Sequence, residues 1–214
     1  MKRSLPVRIP SLVRKDDPLP RIDQLLSEGY VLAGVDEVGR GPLAGDVVAA
    51  AVILNPLREI GGLADSKTLN ATTRSQLALS IRNEARAFAL GIASPAEIDS
   101  LNILQASLLA MQRAVDELPV KPDVVFVDGR HLPKWRFASC AVIKGDARLA
   151  MIGAASIVAK DSRDQTMIEQ HQRWPIYGFD AHKGYPTKQH LAALRRQGPC
   201  PIHRRSFGPV RDVL

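Results

Sequence analysis

The chain has 214 residues, 45% hydrophobic and 24% charged, which is enough for one sizeable core and too apolar for a disordered segment. A formal net charge of +7 and a pI near 9.7 favour polyanionic partners, nucleic acid first, through counterion release. Two cysteines, Cys140 and Cys200, exclude a disulfide framework, and the longest apolar run, residues 47–54, is far too short to span a bilayer. A cytoplasmic protein in a reducing compartment, with no membrane partner, is expected.

Residues 1–29 carry scattered prolines and charges without periodicity and read as a flexible N-terminal extension. The folded domain is expected over 30–214. Residues 30–35 and 46–54 are apolar or β-branched runs joined by a glycine-rich connection, and so read as two neighbouring strands. Asn70 is placed to cap a helix that carries Leu77, Ile81, Ala85 and Phe88 at helical spacing; residues 88–93 make a third strand. Ser94-Pro95-Ala96-Glu97 is a capping-box pattern with proline at the first helical position, followed by helical apolar spacing through Val115. Residues 124–127 and 140–143 are short strands that finish near an acid, Asp128 and Asp146. A long helix is expected over about 149–172 and a shorter one over 187–197. This order of elements suits an α/β fold, a mixed sheet covered by helices with a site at strand ends.

Four acids stand at or just beyond those ends: Asp36 and Glu37, Asp128, and Asp146. Carboxylates delivered from several strands suit hard divalent cations such as Mg²⁺, as used in two-metal phosphoryl transfer. A single strand-end acid is more often a turn former; the set carries the argument. One objection is physical. Asp36 and Glu37 are adjacent, and neighbouring strand side chains leave on opposite faces, so either the strand bends or one acid has another role. Gly39-Arg40-Gly41-Pro42 can form a tight turn that brings backbone N–H groups and a guanidinium to a ligand. His182-Lys183-Gly184-Tyr185 offers a cation and a ring suited to phosphate contact and stacking. From Ala181 onward seven Lys/Arg face the single acid Asp212, an excess that reads as a basic patch or a solvated tail.

The string Gly34-Val35-Asp36-Glu37-Val38-Gly39-Arg40-Gly41-Pro42-Leu43-Ala44-Gly45 resembles the signature of the type-2 ribonuclease H family, in its bacterial ribonuclease HII branch. Asp65-Ser66-Lys67, Asp128-Gly129, Lys144-Gly145-Asp146, Arg163-Asp164, His182-Lys183-Gly184-Tyr185 and His203-Arg204-Arg205-Ser206-Phe207 agree in order. The resemblance implies a ribonuclease H-like fold, a five-stranded mixed sheet flanked by helices with a helical C-terminal extension. It also implies a site of Asp36, Glu37, Asp128 and Asp146 holding Mg²⁺ or Mn²⁺. It further implies that Gly39, Arg40 and Gly41 read a ribose 2′-hydroxyl mainly through backbone groups, and that Tyr185 stacks on the deoxyribose after an RNA–DNA junction. Lys67 and Lys183 become phosphate contacts. The implied activity is an endoribonuclease acting as a monomer on RNA–DNA hybrids and on ribonucleotides embedded in duplex DNA, leaving 5′-phosphate and 3′-hydroxyl ends. Val38 and Asp46 depart from the commonest residues of the motif without removing a ligand; Asp164 reads as structural. Two alternatives stand beside this one. A DNA nuclease of the same superfold would cut all-DNA duplex, and a non-catalytic binding module would bind without cutting.

Overall fold

The computed structural model describes residues 5–63 and 69–214. Its centre is a six-stranded mixed sheet built from β1 (Leu12–Val13), β2 (Leu32–Val38), β3 (Val47–Ile53), β4 (Ala87–Ala93), β5 (Val124–Asp128) and β6 (Ala138–Val142). Across the sheet the order is β1-β6-β5-β2-β3-β4. The strands β1, β6, β5 and β2 run parallel, and β3 and β4 continue antiparallel. The carboxyl ends of β2, β5 and β6 therefore point the same way, and this gathers the acids that follow them.

Five of these strands are the expected ones; the sixth, β1, comes from the segment read as a flexible extension. That segment is instead packed. Leu12 and Val13 pair with Ala141 and Val142, helix α1 (Ile22–Ser27) buries Leu25 completely, and Leu5, Val7 and Ile9 pack on the same cluster. Its apolar residues lack a helical or alternating period because each docks singly on a surface that the rest of the chain provides.

Strand alternation divides the core. Ala33 and Val35 of β2 and Val47, Ala49, Ala51 and Ile53 of β3 face helix α4 (Ile103–Asp116). Ala50 and Val52 face helices α2 (Ala71–Glu84) and α5 (Ala150–Arg173). Both faces are covered, so β3 is buried throughout. At Gly34 a Cβ would stand 2.2 Å from the Met151 carbonyl carbon; only glycine lets α5 rest directly on β2.

The caps fall as the side chains dictate. Asn70 accepts from the Thr73 N–H, and Ser94 and Glu97 form a reciprocal capping box for α3 (Pro95–Leu101). The single helical segment expected after Ser94 is two, broken at Asn102, which adopts φ +72° and caps α4 through Leu104 and Gln105. Toward the C-terminus come the short helix α6 (Phe179–His182), then α7 (Lys188–Gln197) and α8 (Gly208–Arg211). These make the expected helical C-terminal extension. No helix among the described residues is long and apolar enough to cross a membrane.

Candidate active site

The β2–β3 ladder stays regular through Asp36↔Ala50, Glu37↔Ala49 and Val38↔Val48, so the strand does not bend and the two acids leave on opposite faces. Both still lie within electrostatic reach of Asp128, which ends the neighbouring strand β5. Asp36 is buried and hydrogen-bonded to Ser156 of α5, and its Oδ1 accepts the Glu37 N–H at 2.7 Å. Asp128 Oδ1 accepts the N–H groups of Gly145 at 2.7 Å and Asp146 at 3.4 Å, which ties β5 to the 3₁₀ turn Gly145–Ala147 that carries Asp146.

Burial raises the pKa of Asp36 well above the usual carboxylate range, with the charges of Glu37 and Asp128 adding to it. Burial also raises Glu37, against the pull of Arg40. Asp128 is raised by burial and by the charge of Asp146. The four acids thus form one chain of repelling neighbours, met by the Arg40 guanidinium, 3.1 Å from Glu37. The carboxylates of Asp36, Glu37 and Asp128 also accept local hydrogen bonds. Among the described residues no three His, Cys, Asp or Glu side chains close into a metal cage as they stand.

The turn after β2 is held from behind. Arg204, 0% exposed, donates to the carbonyls of Gly39 (2.6 Å), Arg40 (3.1 Å), Pro42 (2.7 Å), Gly45 (2.7 and 2.9 Å) and Asp46 (3.2 Å). Arg163 of α5, also buried, donates to Asp46, Ala44 and Lys183. Gly39, at φ +94°, has no room for a Cβ, which would lie 2.3 Å from Arg163 Nε. Counting Arg204 in a surface patch is therefore wrong. Its charge faces backbone dipoles, and burial lowers its pKa to about 9. Asp46 feels the charge of both arginines, and burial raises its pKa more than they lower it.

The second loop joins the first directly. Leu43 N–H donates to the Gly184 carbonyl, and the half-exposed Tyr185 ring lies against Gly41. Beneath Tyr185 runs a relay of neutral imidazoles. The Cys200 N–H donates to His203 Nδ1, the Nε2 atoms of His203 and His190 meet at 3.0 Å, and His190 Nδ1 donates to the Tyr185 carbonyl at 3.0 Å. The ring of His182 stacks on His190. The Lys183 ammonium folds back on the Asp180 carbonyl, and Lys67 lies outside the described residues. Asp164 is held by Arg74 and by Lys160 one turn away on the same helix, and Asp161 by Arg82 and Ser75; the bonds from Arg74, Arg82 and Ser75 fasten α2 to α5. The sequence reading assigned no role to Arg163, His190 or His203, and counted Arg204 only as part of the basic patch. Arg163, His203 and Arg204 stood inside segments that carry the resemblance, and His190 gave no signal at all.

Acids at the ends of parallel strands, beside a glycine turn and an aromatic ring, define a phosphodiester hydrolase built on the ribonuclease H fold. Residues 33–210 match the family model of ribonuclease HII. The chain is 59% identical over 186 residues to ribonuclease HII of Nitrosococcus oceani, covering 87% of this chain and 92% of that protein. It is 58% identical over 181 residues to that of Bordetella pertussis, covering 85% and 90%. The crystal structure of ribonuclease H2 from Pyrococcus horikoshii superposes with a TM-score of 0.71 at 28% identity, covering 85% of this chain and 96% of that one. The chain belongs to the ribonuclease HII family and is an endoribonuclease of RNA–DNA hybrids.

Proposed function

We propose that Asp36, Glu37, Asp128 and Asp146 hold divalent cations, Mg²⁺ or Mn²⁺, and that the protein incises 5′ of ribonucleotides embedded in duplex DNA as well as within hybrids. The observation that carries this reading is the charge imbalance at the strand ends: four carboxylates, three with raised pKa, meet one exposed arginine. An all-oxygen, strongly anionic donor set fits a hard divalent cation, and adding positive charge relieves the repulsion. When bound, the cations supply activation of the attacking water and stabilisation of the departing 3′ oxygen.

The chain's own residues do the rest. The turn at Gly39, Arg40 and Gly41 brings backbone groups to the ribose 2′-hydroxyl, which distinguishes RNA from DNA. Tyr185 supplies a ring face for the sugar that follows, and Lys183 and Lys67 supply charge for phosphates. The exposed cations of α7, Lys188, Arg195 and Arg196, add sequence-independent affinity for the duplex. Both cysteines are free thiols, as suits a reducing compartment, and the proposed setting is the cytoplasm, with the enzyme acting as a monomer.

The test uses end-labelled duplex DNA with one ribonucleotide, beside all-DNA and hybrid controls, with and without Mg²⁺ or Mn²⁺. Metal-dependent incision on the 5′ side, leaving 5′-phosphate and 3′-hydroxyl ends and lost in Asp128→Asn, supports the reading. Cutting of all-DNA duplex points to a general nuclease. Binding without cutting, or affinity unchanged by added metal, overturns the carboxylate assignment.

A further inference from the structure

Resting on that reading of the turn, we infer that Arg204, with Arg163, is the positioning residue that leaves the turn a hydrogen-bond-donor face, so that a ribose 2′ oxygen is read as a hydrogen-bond acceptor. Two guanidiniums are buried side by side behind the turn, and among the described residues neither enters an ion pair. Backbone carbonyls replace the missing carboxylates. Arg204 takes those of Gly39, Arg40, Pro42, Gly45 and Asp46, Arg163 takes those of Ala44 and Asp46, and the Leu43 carbonyl accepts the Arg204 N–H. Of the carbonyls from Gly39 to Asp46, all but that of Gly41 are thus taken by these two residues.

Two donors of the turn are left over. Among the described residues no hydrogen bond uses the N–H of Arg40 or Gly41, although Leu43 and Gly45 donate theirs to Gly184 and Ile202. A peptide whose carbonyl is bound by a cation is a stronger donor at its N–H, because the bonds polarise one another. Two desolvated positive charges behind the turn act in the same direction. Both raise the potential where an electron-rich oxygen would sit, and low local polarity keeps that field from being screened. Arg163 also donates to the Lys183 carbonyl at 3.1 Å. One guanidinium therefore spans the turn and the Tyr185 loop and sets their spacing.

Lysine at position 204 keeps the charge but lacks the planar fork that serves five carbonyls at once. The experiment compares the unmodified protein with Arg204→Lys on three duplexes that differ at one position in carrying a 2′-hydroxyl, a 2′-fluoro or a 2′-deoxy nucleotide. Arg204→Lys is expected to raise KM for the ribonucleotide substrate about tenfold or more while its affinity for all-DNA duplex stays within about twofold. An equal loss on both duplexes makes Arg204 a structural residue only and overturns the inference. Because the variant is at risk of failing to fold, a second measurement uses the unmodified protein. The 2′-fluoro duplex, which keeps an acceptor and has no 2′ donor, is expected to compete against the ribonucleotide substrate at least threefold better than the 2′-deoxy duplex. Competition no better than the 2′-deoxy duplex sinks the donor reading. If the unmodified protein fails to incise at the ribonucleotide at all, the functional reading falls instead, and the two failures are told apart.

Discussion

Gly41 lies against the ring of Tyr185, so that a methyl group on its Cα would stand 3.4 Å from Tyr185 Cε1. This is the near edge of ordinary van der Waals contact, and it couples the turn to the ring without a hydrogen bond. Gly41→Ala sets a methyl group in the seam between the turn and the ring, the surface offered to the sugar. It is expected to lower kcat/KM on a single embedded ribonucleotide by about tenfold, since sub-ångström misplacement of a positioning group is costly. Gly39→Ala, which must displace a buried guanidinium, is expected to lower the melting temperature as well. Steady-state kinetics and thermal unfolding of the two variants separate these effects, and equal melting temperatures for both would contradict the difference in packing.

Clustered acids place activity and stability in opposition. Asp36, Glu37 and Asp128 have pKa values raised in the fold, so between the ordinary carboxylate range and those higher values the folded state holds more protons than the unfolded chain. Stability from this cluster therefore falls as pH rises through that window. Asp36→Asn keeps an oxygen for the Glu37 N–H and removes the charge. It is expected to raise the melting temperature by several degrees in EDTA at neutral pH while abolishing cleavage. Added Mg²⁺ should stabilise the unmodified protein more than the variant; equal shifts would count against metal binding here.

The imidazole relay predicts the opposite sign at acid pH. Burial lowers His190 and brings His203 from 6.5 to about 4, the nearby His190 adding to the shift. The unfolded chain thus binds more protons than the fold between those values. Stability is present above about pH 6.5 and is lost as pH falls toward 4. His203→Gln is expected to flatten this limb in urea unfolding followed from pH 4.5 to 7. A limb as steep as in the unmodified protein would remove His203 from the explanation.

Leu25 tests the docked N-terminal segment. Its side chain is fully buried beside Val13 and Tyr30, and Leu25→Ala is expected to cost about 3 kcal/mol, roughly 10 °C in melting temperature for a chain of this size. A segment that is loose in solution would show no change.

The strand-end acids and the caps at Asn70 and Ser94 were legible in the sequence because each is a local pattern: an acid after an apolar run, or an oxygen three residues before a helical N–H. The edge strand at Leu12 and Val13 was not, since two residues carry no period and gain their pairing only from β6. Arg204 was misread for a related reason. A charge count shows that a guanidinium exists but not which way it faces, and burial here depends on carbonyls more than 150 positions away in the chain. The Asp36–Glu37 adjacency looked like a conflict because a strand has two faces. At the end of β5 the sheet itself stops, so both faces lie near one acid.

Helix α5 runs unbroken from Ala150 to Arg173. Along it Ser156, which bonds Asp36, stands seven residues before Arg163, which clamps both loops, and eleven before Met167, whose sulfur would lie 2.5 Å from a Cβ on Gly45. Those intervals are near-whole numbers of turns, so the helix acts as a keyed shaft with every tooth in phase. One residue inserted between Ser156 and Arg163 would rotate everything beyond it by about 100°, unseating the loops while the carboxylates stayed in place. The length of this helix is for that reason as constrained as the chemistry it serves, and variation in chain length within the fold has to be found elsewhere.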